Sequence, residues 1–105
     1  MFARLVFCKF SPDRIKEVRK IYHGEITPVI RKQKGNLGVS LLEPTDKSSD
    51  FISITQWKSR ADADAYESSG TYKKMLSKVE NFFIKQPELR TYNIEEISVG
   101  VRETL

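Results

Sequence analysis

One cysteine, one histidine and one tryptophan occur among the 105 residues. A single cysteine allows no disulfide within the chain and no thiolate metal cluster. Cys8 stands in an apolar run and reads as a small, inert hydrophobe. No metal-ligand cluster, phosphate-binding glycine loop, dinucleotide glycine pattern or Ser-His-Asp arrangement can be read, which weighs against most cofactor-dependent chemistry, though not against a bound flavin or haem. No metal and no cofactor are expected. No apolar run approaches the length of a membrane span. The opening MFARLVFCKF is short and broken by Arg4 and Lys9, unlike a signal peptide, so a cytoplasmic protein without a membrane partner is expected. The charge is +4, from 18 Lys and Arg against 14 Asp and Glu. Its excess lies in RKQK (31–34) and on one helix face, the pattern of solvated surfaces and not of a nucleic-acid groove.

What is present is an ordinary globular composition, 39% hydrophobic and 30% charged, enough for one domain over 1–105 with a tail at 98–105. FARLVFCKF (2–10) is strand-like. Ser11, Pro12 and Asp13 then suit an N-cap, a first helical position and a first turn. Ile15, Val18, Tyr22, Ile26 and Val29 form the core stripe of that helix, which Pro28 should kink near 24–28. Gly35 in KGNLG suits a C-terminal cap. Strands follow at 37–43 and 51–57, joined by the polar PTDKSSD. Ser59 and Asp62 open a second helix in the manner of a capping box. ESSG (67–70) interrupts this helix and Ser69 can restart it. Tyr72, Met75, Leu76, Val79, Phe82 and Phe83 then continue an apolar stripe until Pro87 stops it. LRTYNIEEISV (89–99) is a last strand.

The order β-α-β-β-α-β predicts an α+β fold of the ferredoxin-like kind, a four-stranded antiparallel sheet with both helices on one face. Strands one and three carry apolar residues on both alternating faces: Phe2, Val6 and Cys8 against Leu5 and Phe7, and Phe51 and Trp57 against Ile52 and Ile54. A sheet face left in water should be polar at every second residue. Helices cover only one face, so a homodimer packed through the other is expected.

A four-stranded chain of this length, with GNLG entering strand two, Trp57 ending strand three, and WKSRADADAYESSGTYKKM on the following helix, resembles the antibiotic-biosynthesis monooxygenase family over roughly residues 2 to 97. The resemblance implies a dimeric α+β barrel. It also implies a choice among cofactor-free oxygenases of quinols or anthrone-like polyketides, haem-degrading enzymes, small-molecule isomerases and members without known activity. The haem-degrading branch has a tryptophan and an iron-binding histidine ten residues apart on one helix, with an asparagine in strand one. Those helical positions fall on Tyr66 and Leu76, and FARLVFCKF has no asparagine, so haem is disfavoured.

A cofactor-free oxygenase needs an apolar pocket, a donor for a developing oxyanion and a base. His23, Tyr66 and Tyr72 are the candidate catalytic residues, and Trp57, Phe7 and Arg4 the candidate substrate-binding ones. Each has a plainer alternative. Trp57 can fill the core where the sheet meets the second helix, the tyrosines can simply pack, and His23 can sit exposed beside Gly24. Arg4 and Arg90 either line a cleft for an anionic group or pair with Glu43, Glu95 or Glu96. The expected activity is that of a monooxygenase-like oxidoreductase acting on a small aromatic, quinol or polyketide-like molecule without metal or flavin. The competing expectation is a non-catalytic small-molecule-binding or regulatory dimer of the same fold. The RNA-recognition fold shares the element order, but FISITQWK lacks the basic-Gly-aromatic run that stacks bases.

Overall fold

A computed structural model describes residues 1–98 and 100. Four strands, β1 (Phe2–Cys8), β2 (Asn36–Leu42), β3 (Phe51–Trp57) and β4 (Glu88–Asn93), form one sheet in the order β2-β3-β1-β4. Every neighbouring pair is antiparallel. The α+β, ferredoxin-like expectation is met. Of the last expected strand, 94–98 lie beyond β4 and Val99 lies outside the described residues; the expected tail at 98–105 also lies outside them, apart from Ser98 and Gly100.

Strand pairing sorts the side chains by parity. Phe2, Arg4, Val6 and Cys8 stand opposite Trp57, Thr55, Ser53 and Phe51 on one face, while Ala3, Leu5 and Phe7 meet Gln56, Ile54 and Ile52 on the other. The helices pack on the first face, where Phe2, Val6, Cys8, Val18, Tyr22, Phe51 and Trp57 join one buried cluster. On the second face Leu5, Phe7, Ile52 and Ile54 are half-buried, and Leu42 and Tyr92 are exposed.

The first helical region differs in detail from the sequence expectation. The Ser11 hydroxyl caps no backbone N–H and hydrogen-bonds instead to the Asp13 carboxylate. Residues Pro12–Arg14 form a 3-10 turn before α1 (Ile15–Ile21). A π-helical turn (Tyr22–Ile26) then leads into α2 (Thr27–Arg31), with Pro28 in its first turn. The expected kink at 24–28 thus takes the form of a wider turn just ahead of the proline, whose ring would crowd the carbonyl four residues back. The turn also changes the stripe. Val18, Tyr22, Ile26 and Ile30 are the deeply buried residues, with Ile15 and Val29 only packed against them. At about 100° per residue, three such four-residue steps would drift about 120° around a regular helix. A wider turn takes up part of that drift.

Gly35 does not cap α2, which closes at Lys32. It serves the turn into β2 at φ 78°, and its carbonyl accepts a hydrogen bond from the Lys58 N–H. A Cβ built there would lie 2.0 Å from Asp62 Oδ2, so both backbone angle and space call for glycine. One half of the expected capping box at Ser59 is present, the N-cap bond: its hydroxyl accepts from the Asp62 N–H at the start of α3 (Arg60–Ser68). Gly70, at φ 86°, separates α3 from α4 (Thr71–Ser77), and the Ser69 hydroxyl accepts from the Thr71 N–H. The stripe expected through Phe83 is helical only to Ser77. Past it, Val79 is buried and a 3-10 turn (Glu80–Phe82) sets Phe83 against Phe10, with ring centroids 5.4 Å apart.

Candidate functional site

Between β1 and β3 on one side and the helices on the other lies a cavity of about 50 Å³. A water needs roughly 10–15 Å³ measured in this way, so the space suits a few waters or a molecule of dioxygen's size. Drug-sized ligands occupy about 300–1,000 Å³, so a ring enters only if a wall moves.

The polar side chains of the wall come from alternate strand positions and from the helices: Arg4, Ser53 and Thr55 from the sheet, Tyr22, Tyr66 and Tyr72 from above. Arg4 is 3% exposed, although it occupies a strand position whose neighbours are apolar. Its Nη2 donates to Glu67 Oε1 at 3.2 Å, and Glu67 is 48% exposed. The guanidinium carbon lies 4.6 Å from the Tyr72 ring centroid and 5.9 Å from that of Tyr66. Such placement over a desolvated ring is worth about 2 kcal/mol, which offsets part of the several kcal/mol that burying a cation costs.

Trp57 is fully buried and does not line the cavity. Its indole N–H donates to Thr55 Oγ1 at 2.9 Å, and its ring stacks on Tyr66 at 4.9 Å. Tyr66 in turn meets Tyr72 edge-on at 6.0 Å. Trp57 therefore backs the wall that the two tyrosines present. The Tyr22 and Ser53 hydroxyls lie 2.6 Å apart.

Burial raises the pKa of Tyr66 well above the ordinary phenol range, against the opposing pull of Arg4. Burial likewise raises Tyr72, with Arg4 again opposing. Tyr22 is raised by burial and partly brought back by Ser53. The Cys8 thiol is pushed up to about 12, first by burial and then by Asp50. These groups are neutral near pH 7 and can donate hydrogen bonds, but none is ready to take a proton.

Arg4, Tyr66 and Tyr72 thus meet at one cavity. His23 is exposed on the π-helical turn and Phe7 lies on the opposite sheet face, beneath Arg90 at 5.1 Å; neither lines it. Arg90 pairs with Glu88, and Glu43 with Arg19. Sequence reasoning missed Ser53, Thr55, Tyr22 and Glu67. A signal existed for the first two: Ser53 and Thr55 alternate with Ile52 and Ile54 and share the parity of Phe51 and Trp57. Polar groups on the core side of a strand mark a site that solvent or a ligand reaches. Among the described residues no group of three or more His, Cys, Asp or Glu is placed to hold a metal ion, and no helix is long and apolar enough to cross a membrane.

The profile of the antibiotic biosynthesis monooxygenases matches residues 1–78. Among solved structures, an antibiotic biosynthesis monooxygenase is similar at 16% identity, with a TM-score of 0.75 and 91% of this chain and 100% of that one covered. A Mycobacterium tuberculosis protein is similar at 18% identity and a TM-score of 0.74, covering 93% and 98% of the two chains. A MhuD mutant with two manganese protoporphyrin IX molecules bound per active site is similar at 15% identity and a TM-score of 0.79, covering 95% and 100%. These likenesses show a shared fold. No curated protein sequence matches the chain.

Proposed function

Since the chain belongs to the antibiotic biosynthesis monooxygenase family, we propose that it is a monooxygenase-like oxidoreductase that oxidises a small aromatic, quinol or polyketide-like molecule without metal or flavin. The observation that carries this reading is the Arg4–Tyr66–Tyr72 group set in a mostly apolar cavity. For a methylene activated between phenolic rings, the carbon exchanges both hydrogens for one oxygen atom of dioxygen and becomes a ketone carbonyl. The other oxygen atom leaves with those hydrogens as a single water. Four electrons leave the carbon and four enter dioxygen, so no outside reductant is required. The substrate's conjugate base passes an electron to dioxygen, the radical pair combines to a peroxide, and loss of water leaves the carbonyl.

The protein's part is to hold the anion, exclude water and donate hydrogen bonds to the developing oxygen charge. Neutral Tyr66 and Tyr72 and the cationic Arg4 suit these tasks. With no cavity group poised as a base, the substrate surrenders its proton to solvent before the site encloses it as the anion. His23, the base expected from the sequence, then has no part in the step.

Haem, which the MhuD structure holds in manganese form, fits these residues poorly. Leu76 lines the cavity at the position where the resemblance would require an iron-binding histidine, and Cys8 keeps its proton. No step is therefore routed through it.

We extend the proposal to assembly. A second copy covers the apolar face of Leu5, Phe7, Ile52 and Ile54 in a two-fold dimer. The absence of a cavity base favours one competing reading, a dimer that binds a small molecule without turning it over.

Oxygen uptake by metal- and flavin-free protein, run against quinols and anthrone-like phenols, tests the function. Uptake above the uncatalysed rate that falls in Tyr66→Phe and Tyr72→Phe is the expected result. No uptake from folded protein across the panel would shift the reading to the binding module.

A further inference from the structure

Arg4 is the one side chain lining the cavity that carries a formal charge near pH 7. The other titratable groups of the wall, Cys8, Tyr22, Tyr66 and Tyr72, are a thiol and phenols, neutral near pH 7, and burial raises them further. No carboxylate lines the cavity. The anionic partner of Arg4 is Glu67, which approaches with one oxygen, on one nitrogen, from the half-exposed end of α3. A guanidinium offers five N–H donors in a planar fork that matches two oxygens at once. A single carboxylate oxygen at 3.2 Å engages one nitrogen of that fork, the Tyr72 hydroxyl also approaches it, and no second carboxylate oxygen fills its other prong.

From this geometry we propose that the cavity is a receptor for a small organic monoanion. Such a ligand has an apolar body and its charge on oxygen, as in a carboxylate, phenolate or enolate. Its oxygen pairs with Arg4 and displaces Glu67, which occupies that place as a built-in substitute. The inference deepens the proposed function at the same site and rests on the same cavity. Glu67 is suited to leave: it is half exposed and regains water when released, whereas Arg4 is fixed in β1 with its charge out of solvent. The space of about 50 Å³ admits a ring only if a wall moves. The apolar wall, with Met75, Val79 and Ile26 among its members, therefore shifts outward to receive the body of the ligand, and Ser53 and Thr55 offer hydroxyl donors. Exchange keeps the buried cation paired throughout, so the cost of an unpaired charge never arises.

The experiment compares benzoate with its neutral near-isostere benzamide by isothermal titration at pH 7, in buffer free of other carboxylates. The expected result is benzoate binding roughly 10- to 100-fold tighter than benzamide, the range set by a charge-assisted hydrogen bond. Arg4→Met should abolish that preference, and Glu67→Gln should tighten benzoate several-fold while leaving benzamide unchanged. Equal binding of the two probes, no measurable binding of benzoate, or a benzoate affinity indifferent to Glu67→Gln would each overturn the proposal. The Glu67→Gln arm stands by itself if Arg4→Met does not fold. Benzoate binding with no oxygen uptake on the phenol panel would leave the receptor standing and remove the oxygenase, so the two readings fail separately.

Discussion

Tyr66 and Tyr72 do different work from Trp57, although all three rings touch in series. Removing the Tyr66 hydroxyl as phenylalanine keeps the stack on Trp57 and takes away a donor. Under the proposed function, kcat for oxygen uptake is expected to fall about a hundredfold with little change in KM, as steady-state kinetics would read. His23→Ala is expected to leave both constants near wild type, and the pH profile of kcat/KM should follow the ionisation of the substrate. Cys8 gives a prediction independent of function. Its pKa is raised from 9.0 to about 12 in the folded chain, so folding favours the protonated thiol. That contribution is complete below pH 9 and is lost as pH rises toward 12, because the unfolded chain releases the proton first. Cys8→Ala should therefore flatten the alkaline fall in the urea midpoint across this window. Part of the fall should persist above pH 10, where the raised tyrosines add the same sign.

At the scale of elements, two glycines have similar backbone angles and different surroundings. Gly35 and Gly70 have φ of 78° and 86°, but a Cβ at Gly70 meets open space while one at Gly35 runs into Asp62. Gly70→Ala should cost only the left-handed backbone penalty, about 1–2 kcal/mol. Gly35→Ala should cost more, and adding Asp62→Gly, which also removes the Cβ lying 2.7 Å from the new methyl, should return only the steric excess, as a double-mutant cycle in urea would show. Element boundaries were legible where a local cause sets them. β3 runs from Phe51 to Trp57 as its alternation and the flanking polar loop foretold. The Ser59 cap likewise depends on residues three apart. Ile30 displacing Val29 from the deep core was not legible, because the π-helical turn answers to how the helix lies on the sheet. The helical end at Ser77 has a similar origin: Phe83 bridges to Phe10, a contact no helical period could announce.

At the scale of the whole molecule, sheet parity governs both surfaces. The candidate site was partly readable: Arg4, Tyr66 and Tyr72 meet in it, and a charged residue in step with Phe2, Val6 and Cys8 pointed inward. Phe7 could have been set aside from the same pattern, since positions 4 and 7 of one strand face opposite ways. His23 adjoins the buried Tyr22, and the local turn, not the composition, decides that it faces solvent. For the proposed dimer, Ile54→Lys places a charge at the middle of the apolar face, where Ile54 is flanked by Leu5 and Ser40. Sedimentation velocity should then show a halved mass with the fold retained by circular dichroism. An unchanged mass would place any interface elsewhere.

The cavity and the outer face are written into the same seven residues of β1, interleaved like two messages read from alternate letters. Each can be edited at single letters without touching the other. Deleting one residue from the middle of the strand would scramble both at once, sending Arg4 or its neighbours outward and an outer leucine or phenylalanine inward. β1 should thus tolerate substitution far better than any change in length, whereas the loop at 43–50, outside the sheet, has no parity to keep.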